Sequence, residues 1–162
     1  MPSKERINPD GGQENCGLCA KAGDDLMTGR NPNAVPGARH LMSPGDLAAL
    51  TGRPFVRKGG LDPIVREVLR WGPGARGIVG AFPRRSDEIG HYFNVVNVDG
   101  KVVFLDFQQG RANSANPRWN LLPHEDQLTC SIVRKLKNWP RGTWPSRAMI
   151  SGIAGCSKGV DF

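Results

Sequence analysis

His91-Tyr92-Phe93-Asn94-Val95-Val96-Asn97-Val98-Asp99-Gly100-Lys101-Val102-Val103-Phe104-Leu105-Asp106-Phe107-Gln108 is the stretch on which the reading of this chain turns. Two apolar, β-branched runs flank an Asp-Gly pair. That pattern predicts a hairpin, because a type I′ turn needs positive φ at both central residues. With Asp99 and Gly100 as the loop, Val98 pairs with Lys101 and paired positions sum to 199. His91 then faces Gln108, and Phe93 faces Asp106. Side chains alternate with period two, so His91, Phe93, Asp106 and Gln108 fall on one face. His91 and Asp106 become diagonal neighbours, with Cβ atoms roughly 5–8 Å apart.

A histidine oriented by a carboxylate on the adjacent strand is half of a nucleophile–base–orienter triad. The missing member is a nucleophile. Upstream, Gln13-Glu14-Asn15-Cys16-Gly17-Leu18-Cys19-Ala20 offers two cysteines at the start of an expected helix. A helix N-terminus favours thiolate through its dipole, and its free N–H groups can receive an oxyanion. Each residue alone has an ordinary reading: a strand histidine is usually a packed or hydrogen-bonded side chain, and a helix cysteine a small hydrophobe. Their conjunction is what carries the catalytic reading.

Further out, Asn15 is read as the N-cap of a helix from Cys16 to Thr28, ended by Gly29, although Gly17 and Gly23 weaken it. Ser43-Pro44 opens a second helix stopped by Gly52. Asp62-Pro63 is expected to open a third, with Ile64, Val65, Val68 and Leu69 at helical spacing and Gly72-Pro73 behind them. Gly77 to Phe82 reads as a strand. Arg30 to Arg39 reads as loop, Ser131 to Leu136 as strand or helix, and the last 20 residues as irregular. Residues 1–12, polar and rich in Gly and Pro, are expected to be a tail or linker from a larger parent chain, with the catalytic domain over 13–162.

At 162 residues the chain fits one domain able to bury a core without disulfide scaffolding. No apolar run is long enough to span a membrane, and the N-terminus lacks the apolar stretch of a secretory signal. The formal charge of +7 is densest at Arg134, Lys135, Lys137, Arg141 and Arg147, interleaved with Trp139 and Trp144. Such a tract can stack single-stranded nucleic acid, but a solvated basic face over inward tryptophans is the commoner arrangement, so no nucleic-acid partner is expected. Four cysteines (Cys16, Cys19, Cys130 and Cys156) contain only one close pair, which is not the spacing of a structural zinc site. No cofactor or metal is expected.

The ordered set also resembles the papain-like cysteine enzymes, in which an oxyanion-hole glutamine lies six residues before the nucleophile of a Cys-Gly-x-Cys run, as Gln13 lies before Cys19. The closer resemblance is to the papain-fold toxin domain identified as a glutamine deamidase (Tox-PL type). It rests on Ile7-Asn8-Pro9, Asn15-Cys16-x-x-Cys19-Ala20, Leu26-x-x-Gly29, Gly90-His91-x-Phe93-Asn94-Val95-Val96-Asn97 and Gly100-Lys101-Val102-x-Phe104-Leu105-Asp106-x-Gln108-x-Gly110. The stretch covered is about residues 7–112. Papain-like peptidases usually carry Trp after the nucleophile, and Ala20 here suits the toxin branch better.

The resemblance implies an α+β papain-like fold, with an N-terminal nucleophile helix packed on an antiparallel sheet. It implies a cysteine nucleophile, His91 as base and Asp106 as orienter. Gln13, Asn15 and Gln108 are the candidates for oxyanion and substrate binding. The cysteine stays open: spacing from Gln13 favours Cys19, while the Asn15-Cys16 helix start favours Cys16. The implied function is a toxin or effector, delivered into a target cell's cytoplasm, that deamidates a glutamine of a target protein and is neutralised by a cognate immunity protein. Hydrolysis of a peptide bond would use the same machinery, and a non-catalytic basic binding domain is the rival from another class.

Overall fold

The computed structural model describes residues 7–8, 11–28, 41–82, 90–113 and 128–133. The loop at Arg30–Arg39, the basic tract from Arg134 and the last 20 residues lie outside them. Three helices and six strands occur among the described residues: α1 (Cys16–Thr28), α2 (Pro44–Thr51), β1 (Val56–Arg57), α3 (Leu61–Arg70), β2 (Arg76–Ala81), β3 (His91–Val98), β4 (Lys101–Asp106), β5 (Arg111–Asn113) and β6 (Leu128–Val133). The strands form one sheet in the order β1-β6-β2-β3-β4-β5, antiparallel at every pairing.

The hairpin has the register read from its turn. Val98 pairs with Lys101 and the ladder runs to Asn94↔Leu105. Asp99 and Gly100 sit at φ 51° and 92°, the positive pair a type I′ turn requires. The Gly100 N–H donates to Asn97 Oδ1 at 2.8 Å, while Asn97 Nδ2 donates to the Val68 carbonyl at 3.1 Å. One buried asparagine thus closes the turn and ties α3 to the sheet.

Period-two alternation divides the core between the two faces. Phe93, Val95, Val102 and Phe104 pack with Leu61, Ile64 and Val68 of α3. Val96, Val98, Val103 and Leu105, with Phe107 just beyond β4, pack with Cys19, Ala22, Leu26 and Met27 of α1. Two buried polar contacts fix α1 further. Asn94 Nδ2 donates to the Ala20 carbonyl at 2.9 Å, and Arg76 Nε donates to Asp24 Oδ1 at 2.6 Å.

The glycines of α1 now have a reason. A Cβ on Gly23 would overlap the Phe107 ring, and one on Gly17 would lie 3.1 Å from Met42 Sδ. Helix propensity yields to close approach at both positions. At α2 the expected device is present in full: Ser43 caps in a capping box with Asp46, and Gly52 closes the helix at φ 67°. For α3 the expected start is corrected. The helix begins at Leu61 with Gly60 as N-cap, because Leu61 has an apolar pocket to fill and extends the first turn backward.

Two residues of the stretch read as a tail are packed into the domain. Ile7 is 1% exposed and Asn8 3%, and Ile7 lies in the same core cluster as α1. The composition of residues 1–12 is dominated by their polar majority and hides this one anchoring pair.

Candidate active site

Asp106 is the last residue of β4, and the chain turns directly behind it. Its Oδ1 accepts the backbone N–H of Gln108 at 3.0 Å and of Gln109 at 3.1 Å. This is a carboxylate capping its own turn, a local preference of Asp. Gly110 at φ 66° supplies the left-handed residue that brings the chain back into β5. The other oxygen, Oδ2, lies 2.7 Å from His91 Nε2. Both oxygens are committed, and the imidazole is held in one plane.

With Nε2 held by Asp106, the His91 side chain also neighbours Cys16, at the first position of α1. Burial by itself would lower the pKa of His91. The bond to Asp106, and then the neighbouring Cys16, outweigh it and push the value up to about 9. An imidazolium between a carboxylate and a sulfur is the charge arrangement of an activated cysteine. The ring also stacks on Phe93, with centroids 6.1 Å apart.

Cys16 and Cys19 have different surroundings. Cys19 is 1% exposed and packs among Leu26, Val96 and Leu105. Burial, then the neighbouring Cys16 and Asp106, push its thiol up to about 12. Cys16 is the first residue of α1, at 8% exposure. It belongs to a separate cluster with Ala20, Leu47, Ile78 and Tyr92, flanked by the half-buried Met42, Phe55 and Phe82.

α1 does not cover the face on which His91 and Phe93 stand; it covers the opposite one. Cys16 and His91 are neighbours nonetheless. Each is the first residue of its element, which is where a side chain can cross from one layer to the other.

The remaining expected site residues make their side-chain bonds to other parts of the chain. Gln13 is exposed on the turn before α1, and its Nε2 donates to the Gly11 carbonyl at 3.0 Å. Asn15 and Gln108 are buried at 0% and 5%, joined by a bond from Gln108 Nε2 to Asn15 Oδ1 at 3.0 Å. Gln108 does not continue the ladder opposite His91. Asp106 captures its N–H and turns the chain, which sends its side chain back toward the start of α1. At that start the Cys19 N–H donates to the Asn15 carbonyl at 2.9 Å, so Asn15 occupies the N-cap position expected of it.

Two neighbours of the site were not singled out in the sequence. Tyr92 donates its hydroxyl to the Met42 carbonyl at 3.2 Å, and burial, then the neighbouring Cys16 and Asp46, raise its pKa. Its place one residue after His91 was the available signal. Asn8 is the other, a polar residue following a core isoleucine.

No group of His, Cys, Asp and Glu among the described residues is arranged to hold a metal ion. None of the described helices is long and apolar enough to cross a membrane. No curated protein matches the chain. A family model described as papain fold toxin 1, glutamine deamidase, matches residues 14–111, more than half of the 162 residues and the segment that carries Cys16, His91 and Asp106; the chain belongs to that family.

Proposed function

We propose that this chain is a cysteine-dependent protein glutamine deamidase in which Cys16 is the nucleophile, His91 the acid and base, and Asp106 the residue that orients His91. The observation that carries this is His91, held at 2.7 Å by Asp106, with Cys16 as its sulfur neighbour. The preference for Cys19 drawn from its spacing to Gln13 is given up here. Cys19 lies in a packed core with its thiol held protonated, whereas Cys16 has the histidine.

The Cys16 thiolate attacks the side-chain carboxamide carbon of the target glutamine. The resulting oxyanion is received by backbone N–H groups of Cys16 and Gly17, which have no acceptor one helical turn earlier within α1. Gln13 is not needed for this, since its amide is directed to the Gly11 carbonyl. His91 gives its proton to the departing nitrogen, ammonia leaves, and a thioester forms. His91 then takes a proton from water, the hydroxide attacks the thioester, and glutamate is released as the thiol is restored.

As a toxin-family domain the protein acts inside a target cell on a protein substrate, and a cognate immunity protein neutralises it in the producer. Whole-protein mass analysis of cells expressing wild type against His91→Ala tests the reaction. A target protein gaining about one mass unit without cleavage supports deamidation. New termini would make the protein a peptidase, and identical proteomes would remove the enzymatic reading.

A further inference from the structure

Three buried amide residues beside the proposed triad form a closed ring of hydrogen bonds, two of them between side chains and the third to the Gln108 main-chain carbonyl. Asn8 Nδ2 donates to the Gln108 carbonyl at 3.2 Å, Gln108 Nε2 donates to Asn15 Oδ1 at 3.0 Å, and Asn15 Nδ2 donates to Asn8 Oδ1 at 2.9 Å. The three residues come from the segment before α1, the residue preceding Cys16, and the turn behind Asp106. They are 3%, 0% and 5% exposed.

The direction of the ring is fixed by its surroundings. Asn8 Oδ1 also accepts the Gly12 N–H at 3.0 Å, and Asn8 Nδ2 also donates to the Gly12 carbonyl at 3.0 Å. Flipping the Asn8 amide would set donor against donor and acceptor against acceptor at Gly12. Asn15 must therefore donate to Asn8, its oxygen must face Gln108, and position 108 must supply a donor. Gln108 meets that demand while its backbone N–H holds Asp106 Oδ1. One residue is thus bonded both to the acid of the site and to the residue preceding the nucleophile.

We infer that the Asn8–Asn15–Gln108 ring is a positioning device, which sets the start of α1, and with it Cys16, against the His91–Asp106 pair. The inference rests on the triad reading above. It differs from an oxyanion or substrate-binding role for Asn15 and Gln108, because the amide bonds are spent within the protein and the side chains are sealed from substrate. A single link between two elements at a reacting pair matters steeply, since about 1 Å of misplacement can cost on the order of a hundredfold.

The test uses iodoacetamide as probe and the pH dependence of Cys16 alkylation, followed by peptide mapping. Gln108→Met keeps length and removes the donor. Asn8→Ala breaks the ring from another side and carries the test should the first variant not fold. Val68→Ala, in the core between α3 and the sheet and outside the ring, serves as a control for general loosening. We expect alkylation near pH 6.5 to fall at least about tenfold in a ring variant, and to return toward wild type near pH 10, where an ordinary thiol ionises unaided. Val68→Ala should retain the wild-type profile.

A folded ring variant with the wild-type profile would overturn the inference, as would the same shift in Val68→Ala. Wild-type Cys16 showing no enhanced reactivity at neutral pH would instead remove the triad reading itself.

Discussion

Asp106 holds His91 through one carboxylate oxygen, Oδ2 at 2.7 Å from Nε2, while its other oxygen is held by the N–H groups of the turn that follows. The acid is thereby fixed by local chain geometry and the imidazole by the acid. His91 is therefore the residue whose loss should be most complete. We expect His91→Ala to lower deamidation by about a thousandfold or more with the cooperative unfolding transition retained. A residual rate within tenfold of wild type would contradict its role.

The two early cysteines should separate cleanly. Cys16→Ala should abolish deamidation. Cys19→Ala should leave the chemistry in place and lower stability by about 1 kcal/mol, from a small void among Leu26, Val96 and Leu105. Activity assays paired with urea denaturation distinguish these outcomes. Loss of activity in the Cys19 variant alone would reverse the assignment.

The raised pKa of His91 sets a pH window with a definite sign. Its protonated form gains partners on folding, so the stability it contributes is fully present below its ordinary value of 6.5 and is lost as pH rises through about 9. The difference in urea midpoint between wild type and His91→Ala should shrink from neutral pH to about pH 10. The proton given to departing ammonia is lost over the same range, so turnover should decline above about pH 9. A midpoint difference that grew with pH would contradict the imidazolium.

Gly23 gives a prediction whose sign is diagnostic. Gly→Ala inside a helix ordinarily stabilises by about 1 kcal/mol. Here the added methyl meets the Phe107 ring, and we expect a net loss of about 1–3 kcal/mol through overpacking. Calorimetry or urea denaturation reads it directly. A more stable variant would mean that α1 does not approach Phe107 as described.

Much of the site was legible because one strong turn signal fixes many positions at once. Asp99-Gly100 set the register, and the register brought His91 to Asp106. The bounds of α1 and β3 followed equally well from their caps and alternation. What was hidden depends on long-range contacts. Composition does not mark Ile7 and Asn8 as core, because part of what buries them lies about a hundred residues on, at Leu105, Phe107 and Gln108. Likewise, β1 comprises only Val56 and Arg57, too short for alternation to register, and exists through its pairing with β6.

The choice between the cysteines was hidden for a related reason. Helical spacing puts Cys16 and Cys19 on neighbouring positions, and only the packing of α1 decides which one faces a histidine. The sheet face was the other blind spot. Alternation grouped His91 with Asp106 correctly but could not say which face of the sheet α1 would cover.

The central claim is that Cys16 is activated by His91, and alkylation mapped residue by residue tests it most directly. Brief iodoacetamide treatment near neutral pH, read by peptide mass, should label Cys16 about a hundredfold faster than Cys19, Cys130 or Cys156. The advantage should vanish in His91→Ala. Preferential labelling of Cys19, or equal slow labelling of all four cysteines in the wild type, would contradict the account.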